Sequence, residues 1–160
     1  MSTVVIQAAG GEEVKMEEEY AKMVPLVQEL MDEQDAGEAL PITKVSKGAF
    51  EKITDFLKIV KEEGAPDIER PLITADMTQV TSERYANMIA LDKEQVFELA
   101  NAAQYLKLES LHHLACAKVA SFLMGKNPDE VRAVLGVPDD LSADMKAQIK
   151  EENEFAAKLI

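Results

Sequence analysis

The spacing of apolar residues changes character early in the chain. Val4-Val5-Ile6 is a β-branched run, Gly10-Gly11 breaks it, and Glu13-Val14-Lys15-Met16 alternates polar with apolar. A period of two on either side of paired glycines predicts an N-terminal hairpin. A helical stretch follows over residues 18–31, but Pro25 sits inside it. An interior proline removes a backbone hydrogen bond and clashes with the preceding turn. The stretch therefore splits into a short helix ending near Val24 and a second one opened by Pro25 at its first position. Residues 32–38 are acidic and loop-like, and 39–45 suit one more short strand. Ser46 then caps a helix over 47–63, whose Phe50, Ile53, Phe56, Leu57 and Val60 form one stripe at 3.6 spacing, with Gly64 as its stop. Residues 65–81 hold Pro66 and Pro71 and show no helical period, so they read as an extended linker.

Beyond the linker the pattern is almost wholly helical. Asp92 and Gln95 predict a capping box, a helix runs from after Leu108 to Gly125, and Asn127-Pro128-Asp129-Glu130 is a strong start signal for another. Gly136 stops that short helix and Ser142 opens a last one. Two helix faces stand out. Val96, Leu99, Ala103 and Leu106 point one way, which leaves Tyr105 on the opposite side with Gln104 at its flank. In the next helix Leu111, Ala115 and Phe122 form one stripe with Leu114 beside it, while His112, Cys116, Val119 and Leu123 form a second. Together they cover about 200° of the cylinder, roughly twice what a surface helix needs. Such a helix is either central to the core or shared with a partner. The last two helices carry Val131, Val134, Leu135, Met145, Ile149 and Phe155, and amphipathic helices this short often complete their burial against another protein.

Composition narrows the choice. The 160 residues are 47% hydrophobic but only 5% aromatic, without tryptophan, so the core is mostly aliphatic. Seventeen basic against 30 acidic side chains give a net charge of −13, which argues against a nucleic-acid partner and against anionic membrane surfaces. No leader pattern or apolar run of about 18 residues occurs, so no membrane span is expected. The single cysteine, Cys116, rules out an internal disulfide framework and a Cys-rich zinc site. A reducing compartment, cytoplasm and nucleus, is the expectation.

Catalytic signatures are missing. There is no glycine-rich phosphate cradle, nucleophile elbow or His-Glu-x-x-His pattern, and the faint likeness of 32–37 to a calcium loop fails at Ala36 and Thr43. His112 and Cys116, four apart on one helix, share a face. They read as a small thiol beside an imidazole, with zinc ligation or a thiolate–imidazole pair as alternatives. A catalytic pair would need a third, orienting group. No cofactor, metal or catalytic residue is assigned, and an enzyme is not expected.

One further pattern is specific. Phe97-Glu98-Leu99, Ala102-Ala103-Gln104-Tyr105-Leu106, Cys116-Ala117-Lys118-Val119-Ala120, Gly125-Lys126-Asn127-Pro128-Asp129-Glu130-Val131-Arg132 and Lys150-Glu151-Glu152-Asn153-Glu154-Phe155 occur in that order. The sequence closely resembles the F-box-binding adaptors of SCF ubiquitin ligases, the S-phase-kinase-associated adaptor family, with the front half fitting more loosely. The resemblance implies an α+β fold: a BTB/POZ-like domain with a small N-terminal sheet and a helical majority, plus a C-terminal F-box-binding helical extension. It divides the chain into 1–64 and 82–125 as the two parts of that domain, 65–81 as the linker and 126–160 as the extension.

It also implies two partner faces, a cullin meeting Gln104 and Tyr105 and F-box proteins meeting Phe97, Cys116, Val119, Leu123, Val131, Leu135, Val137 and Phe155. His112 joins the second set as a rim contact. Gln104 stands where the family usually has Asn, and Phe155 where it has Trp. The resemblance leaves a homodimer of the unbound chain open. An elongin C-like BTB adaptor is the nearest competing reading, disfavoured by the extension. A small hydrolase built on Cys116 and His112, or a self-associating acidic scaffold, is the alternative from another class.

Overall fold

The computed structural model describes residues 2–35 and 37–159. The hairpin forms where period-two spacing predicts it: β1 (Thr3–Gln7) pairs antiparallel with β2 (Glu13–Glu17), with Val5 opposite Lys15 and Ile6 opposite Val14. The connecting turn needs positive φ at Gly10 and Gly11, 76° and 78°, where a β-carbon would be strained. Ile6, Val14 and Met16 face the core, and Lys15 between them is exposed.

The chain then turns through α1 (Glu18–Ala21) and α2 (Pro25–Glu33), with Pro25 at the start of the second helix. It returns as β3 (Leu40–Pro41), parallel to β1, which gives the sheet order β2-β1-β3. A parallel return requires a crossover, and α1 with α2 supplies it. The acidic segment 32–38 is helical through Glu33, and its residue 36, the position where the calcium-loop likeness fails, lies outside the described residues.

The longest helix, α3 (Lys47–Glu63), starts where the Ser46 hydroxyl accepts a hydrogen bond from the Ala49 amide. It buries Phe50, Ile53, Phe56, Leu57 and Ile59, and Val60 is half-buried. Gly64 ends it at φ 84°, with its amide donating to the Val60 carbonyl. The linker is not wholly extended, which corrects the sequence reading. Asp76 caps a single turn, α4 (Met77–Val80), that buries Met77. Four residues are too few to display a 3.6 period, so the turn left no pattern to read. Then α5 (Glu83–Met88) packs on α3: Tyr85 donates to the Gly64 carbonyl, and its ring lies 5.6 Å from that of Phe56.

Next come α6 (Lys93–Tyr105), opened by the Asp92–Gln95 capping box, and α7 (Glu109–Leu123). They pack on each other and complete the core through Val96, Leu99, Leu106, Leu111 and Leu114. The chain divides into two compact units, Met1–Met124 and Gly125–Ile160. The second holds α8 (Pro128–Leu135), opened by the Asn127–Glu130 capping box and closed by Gly136 in the left-handed conformation, and α9 (Ala143–Ala157), capped by Ser142. No helix among the described residues is long and apolar enough to cross a membrane.

Candidate protein-interaction site

Helix α6 turns Val96, Leu99, Ala103 and Leu106 into the core, and this fixes what lies opposite. Gln104 and Tyr105 both stand in solvent, Tyr105 with 38% of its surface exposed. The Lys44 ammonium sits 5.2 Å from the centre of the Tyr105 ring, at one side of a cleft of about 360 Å³. Glu98, Asn101 and Ser46 add polar groups to its walls. An exposed cation over an aromatic face contributes about 0.5–1 kcal/mol. It also holds the ring in place as an amphipathic anchor, the residue type on which protein interfaces concentrate their binding energy. Lys44 was not legible as part of this face, because it comes from the loop after β3 and only tertiary packing brings it to α6.

On α7 the two stripes separate. Leu111, Leu114 and Ala115 are wholly buried, whereas His112, Val119 and Leu123 are half-buried and Cys116 is exposed. The 200° arc is therefore not all core, and the second stripe lies at the surface. Phe122 corrects the expectation in the other direction. Placed by spacing on the core stripe, it is only half-buried, and its ring carries the Lys118 ammonium at 5.2 Å. It lies near the end of α7, where the core thins out.

The third, orienting group missing from the sequence is the Ala100 carbonyl of α6, 3.1 Å from His112 Nδ1. Only a ring N–H can donate to a carbonyl, so Nδ1 carries hydrogen and Nε2 turns to Cys116 Sγ at 3.6 Å. Burial pushes the Cys116 thiol above its usual range, and the nearby Arg70 guanidinium opposes this only in part. The group is held as a thiol, the opposite of what nucleophilic catalysis requires. Phe97 is one turn before Ala100 on α6 and so shares the α6 face that meets His112.

Within the second unit, no side chain of α8 or α9 is fully buried. Of the four positions assigned here by resemblance, Val131 is half-buried, while Leu135, Val137 and Phe155 are exposed, Phe155 by 66%. Met145 and Ile149, one turn apart on α9, are exposed as well. Asp139 accepts a hydrogen bond from Lys146 and lies close to Arg132, so one carboxylate ties the loop to both helices.

Comparison with known proteins gives the family of the chain. The model of the "Skp1 family, dimerisation domain" matches residues 109–156, which span α7, α8 and most of α9. An S-phase kinase-associated protein 1 homolog of Tetrahymena thermophila is 36% identical over 144 residues, covering 89% of this chain and 87% of that protein. The sconC subunit of an SCF E3 ubiquitin ligase complex in Arthroderma otae is 28% identical over 160 residues, covering 97% and 94%. Its namesake in Aspergillus clavatus is 26% identical, over 97% and 98%. With 36% identity over an alignment that covers 89% of this chain and 87% of one relative, and the family's own pattern carried by the helices α7 to α9, this chain belongs to the Skp1 family.

Proposed function

We propose that the chain is the adaptor subunit of an SCF-type ubiquitin ligase, bridging F-box substrate receptors to a cullin scaffold. The observation that carries this reading is the second stripe of α7. A chain that buries Leu111, Leu114 and Ala115 leaves His112, Cys116, Val119 and Leu123 at the surface of the same helix. A stripe of mostly apolar, partly exposed positions beside the core face suits a surface that another protein covers. Relatives described as SCF subunits support it. The exposed Leu135, Val137 and Phe155 of the second unit extend the F-box-binding set, together with Phe97 and Val131. Gln104 and Tyr105 form the cullin-binding pair. The adaptor performs no catalysis itself, which resides in other subunits of the ligase, and it works in the cytoplasm and nucleus. The unit Gly125–Ile160 favours this family over an elongin C-like adaptor.

The test uses separation of the two faces. Replacing Gln104 and Tyr105 together by Lys removes an aromatic anchor and adds two charges, which costs about 2–4 kcal/mol at an interface centre. The double variant should lose a cullin N-terminal domain and keep an F-box domain in pull-downs, and it should stay folded with only the small loss of stability, about 0.5–1 kcal/mol, that goes with the Lys44–Tyr105 contact. Loss of both partners together would overturn the assignment of two faces.

A further inference from the structure

We propose that the outer edge of β1 is a docking groove for an extended basic segment of another protein, which joins the sheet as an added strand. The β1–β2 register makes the even-numbered residues of β1 exchange hydrogen bonds with β2, and the Glu18 amide continues the ladder to the Ser2 carbonyl at 3.0 Å. Thr3, Val5 and Gln7 therefore turn their amides and carbonyls to the opposite edge. There β3 pairs only with Ile6 and Gln7, which engages Gln7 and the Val5 carbonyl. The Thr3 amide and carbonyl and the Val5 amide are left without a partner among the described residues. A cavity of about 310 Å³ is lined by these two residues together with Met31, Gln34, Asp35 and Glu38. Unpaired amides and carbonyls on a sheet edge are a template for another strand. Strand addition takes its affinity from main-chain bonds and its selectivity from the side chains around the groove.

Those side chains select a basic strand. Asp35 and Glu38 line the cavity, and no cation does so among the described residues. A third carboxylate, Glu18, is already paired with Lys22. Gln34 adds a side-chain oxygen that is cut off from water and accepts no hydrogen bond among the described residues, an acceptor suited to a lysine or arginine donor. The net charge of −13 draws a cationic segment toward the chain as a whole. A second copy would instead bring the same carboxylates against Asp35 and Glu38, and like charges across a strand pair are destabilising. The groove uses no residue of the α6, α7 or second-unit faces, so it stands independently of the adaptor reading.

The probe is a labelled, end-capped peptide of alternating lysine and valine, KVKVK, titrated into the full chain and followed by fluorescence anisotropy, with EVEVE as the control. KVKVK should bind saturably and EVEVE should not. Asp35→Asn with Glu38→Gln should weaken binding about fivefold. Thr3→Pro, which removes an amide that the fold leaves unpaired at the first residue of an edge, should weaken it about tenfold while circular dichroism shows the chain still folded. By NMR, solvent exchange of the Thr3 and Val5 amides should slow when the peptide binds, and that of Val4, already paired with β2, should change least. Absence of saturable binding, unmoved affinity in both variants, or no slowing at Thr3 and Val5 would overturn the proposal. Slowing of those two amides as the chain alone is concentrated would assign the edge to a second copy and overturn it as well.

Discussion

Single side chains decide which parts of α7 serve the fold and which face outward. Val119→Glu places a carboxylate at the half-buried edge of the core, where its oxygens still reach water, so the free protein should stay folded with a melting temperature lowered far less than by a charge at a wholly buried position. In the adaptor complex the same charge would be covered without a partner, and F-box binding should be lost. Leu114→Glu, on the buried stripe, should unfold the first unit, at a cost above about 4 kcal/mol. Circular-dichroism melts with an F-box binding assay check both, and equal collapse of the two variants would remove the physical basis of the second face. Lys107 presents a different residue-scale feature. It is the one non-glycine among the described residues with positive φ, 61°, at the corner between α6 and α7. Its ammonium bonds the exposed Glu29 carboxylate, a pair that contributes at most about 1 kcal/mol. Relief of left-handed strain is about 1–2 kcal/mol, so Lys107→Gly should hold or slightly raise the melting temperature. Lys107→Val, β-branched at the same angle, should lower it. Thermal melts of the two variants side by side check the sign.

At the scale of elements, the boundaries were legible wherever a side chain closes a backbone hydrogen bond locally. Ser46, Asp92, Asn127 and Ser142 each accept from an amide three residues on, and each had been readable from its own neighbourhood. The turn at Met77–Val80 shows the opposite case, since it is held by the burial of Met77 and by Asp76 rather than by any repeat. Equivalent caps should have unequal consequences. Removing a capping side chain costs about 1 kcal/mol. Asp92→Ala should lower the stability of the first unit by that amount, because α6 is part of its core. Asn127→Ala should leave that unit's melting temperature unchanged and speed hydrogen exchange along α8 alone. Exchange measured by mass spectrometry separates these outcomes.

For the whole molecule, every fully buried side chain among the described residues lies between Ile6 and Ala117. Deleting 125–160 should therefore leave the unfolding of the first unit within about 0.5 kcal/mol of the intact chain, the usual range for changes remote from a core. In the adaptor reading it should abolish F-box binding and spare cullin binding. The second unit depends more on surface charge. The hydrogen bond from Lys146, aided by the Arg132 charge, holds the Asp139 carboxyl below its usual range. A carboxyl lowered by folding contributes stability that is complete above its unfolded value, about 3.9, and is lost as pH falls through the folded value. Amides of α8 and α9 should accordingly lose protection, measured against their intrinsic exchange rates, below about pH 4, and added salt at neutral pH should weaken the same contact. The sequence by itself determined the hairpin, the split at Pro25, the helix caps and the opposition of Tyr105 to its core stripe. All of these follow from interactions a few residues apart or from periodicity along one element. Only the tertiary structure decided which half of the 200° arc of α7 is core, that Phe122 is a rim residue, that Lys44 meets Tyr105, and that the Ala100 carbonyl orients His112. Those outcomes depend on which elements pack together, and packing joins residues that no local pattern connects.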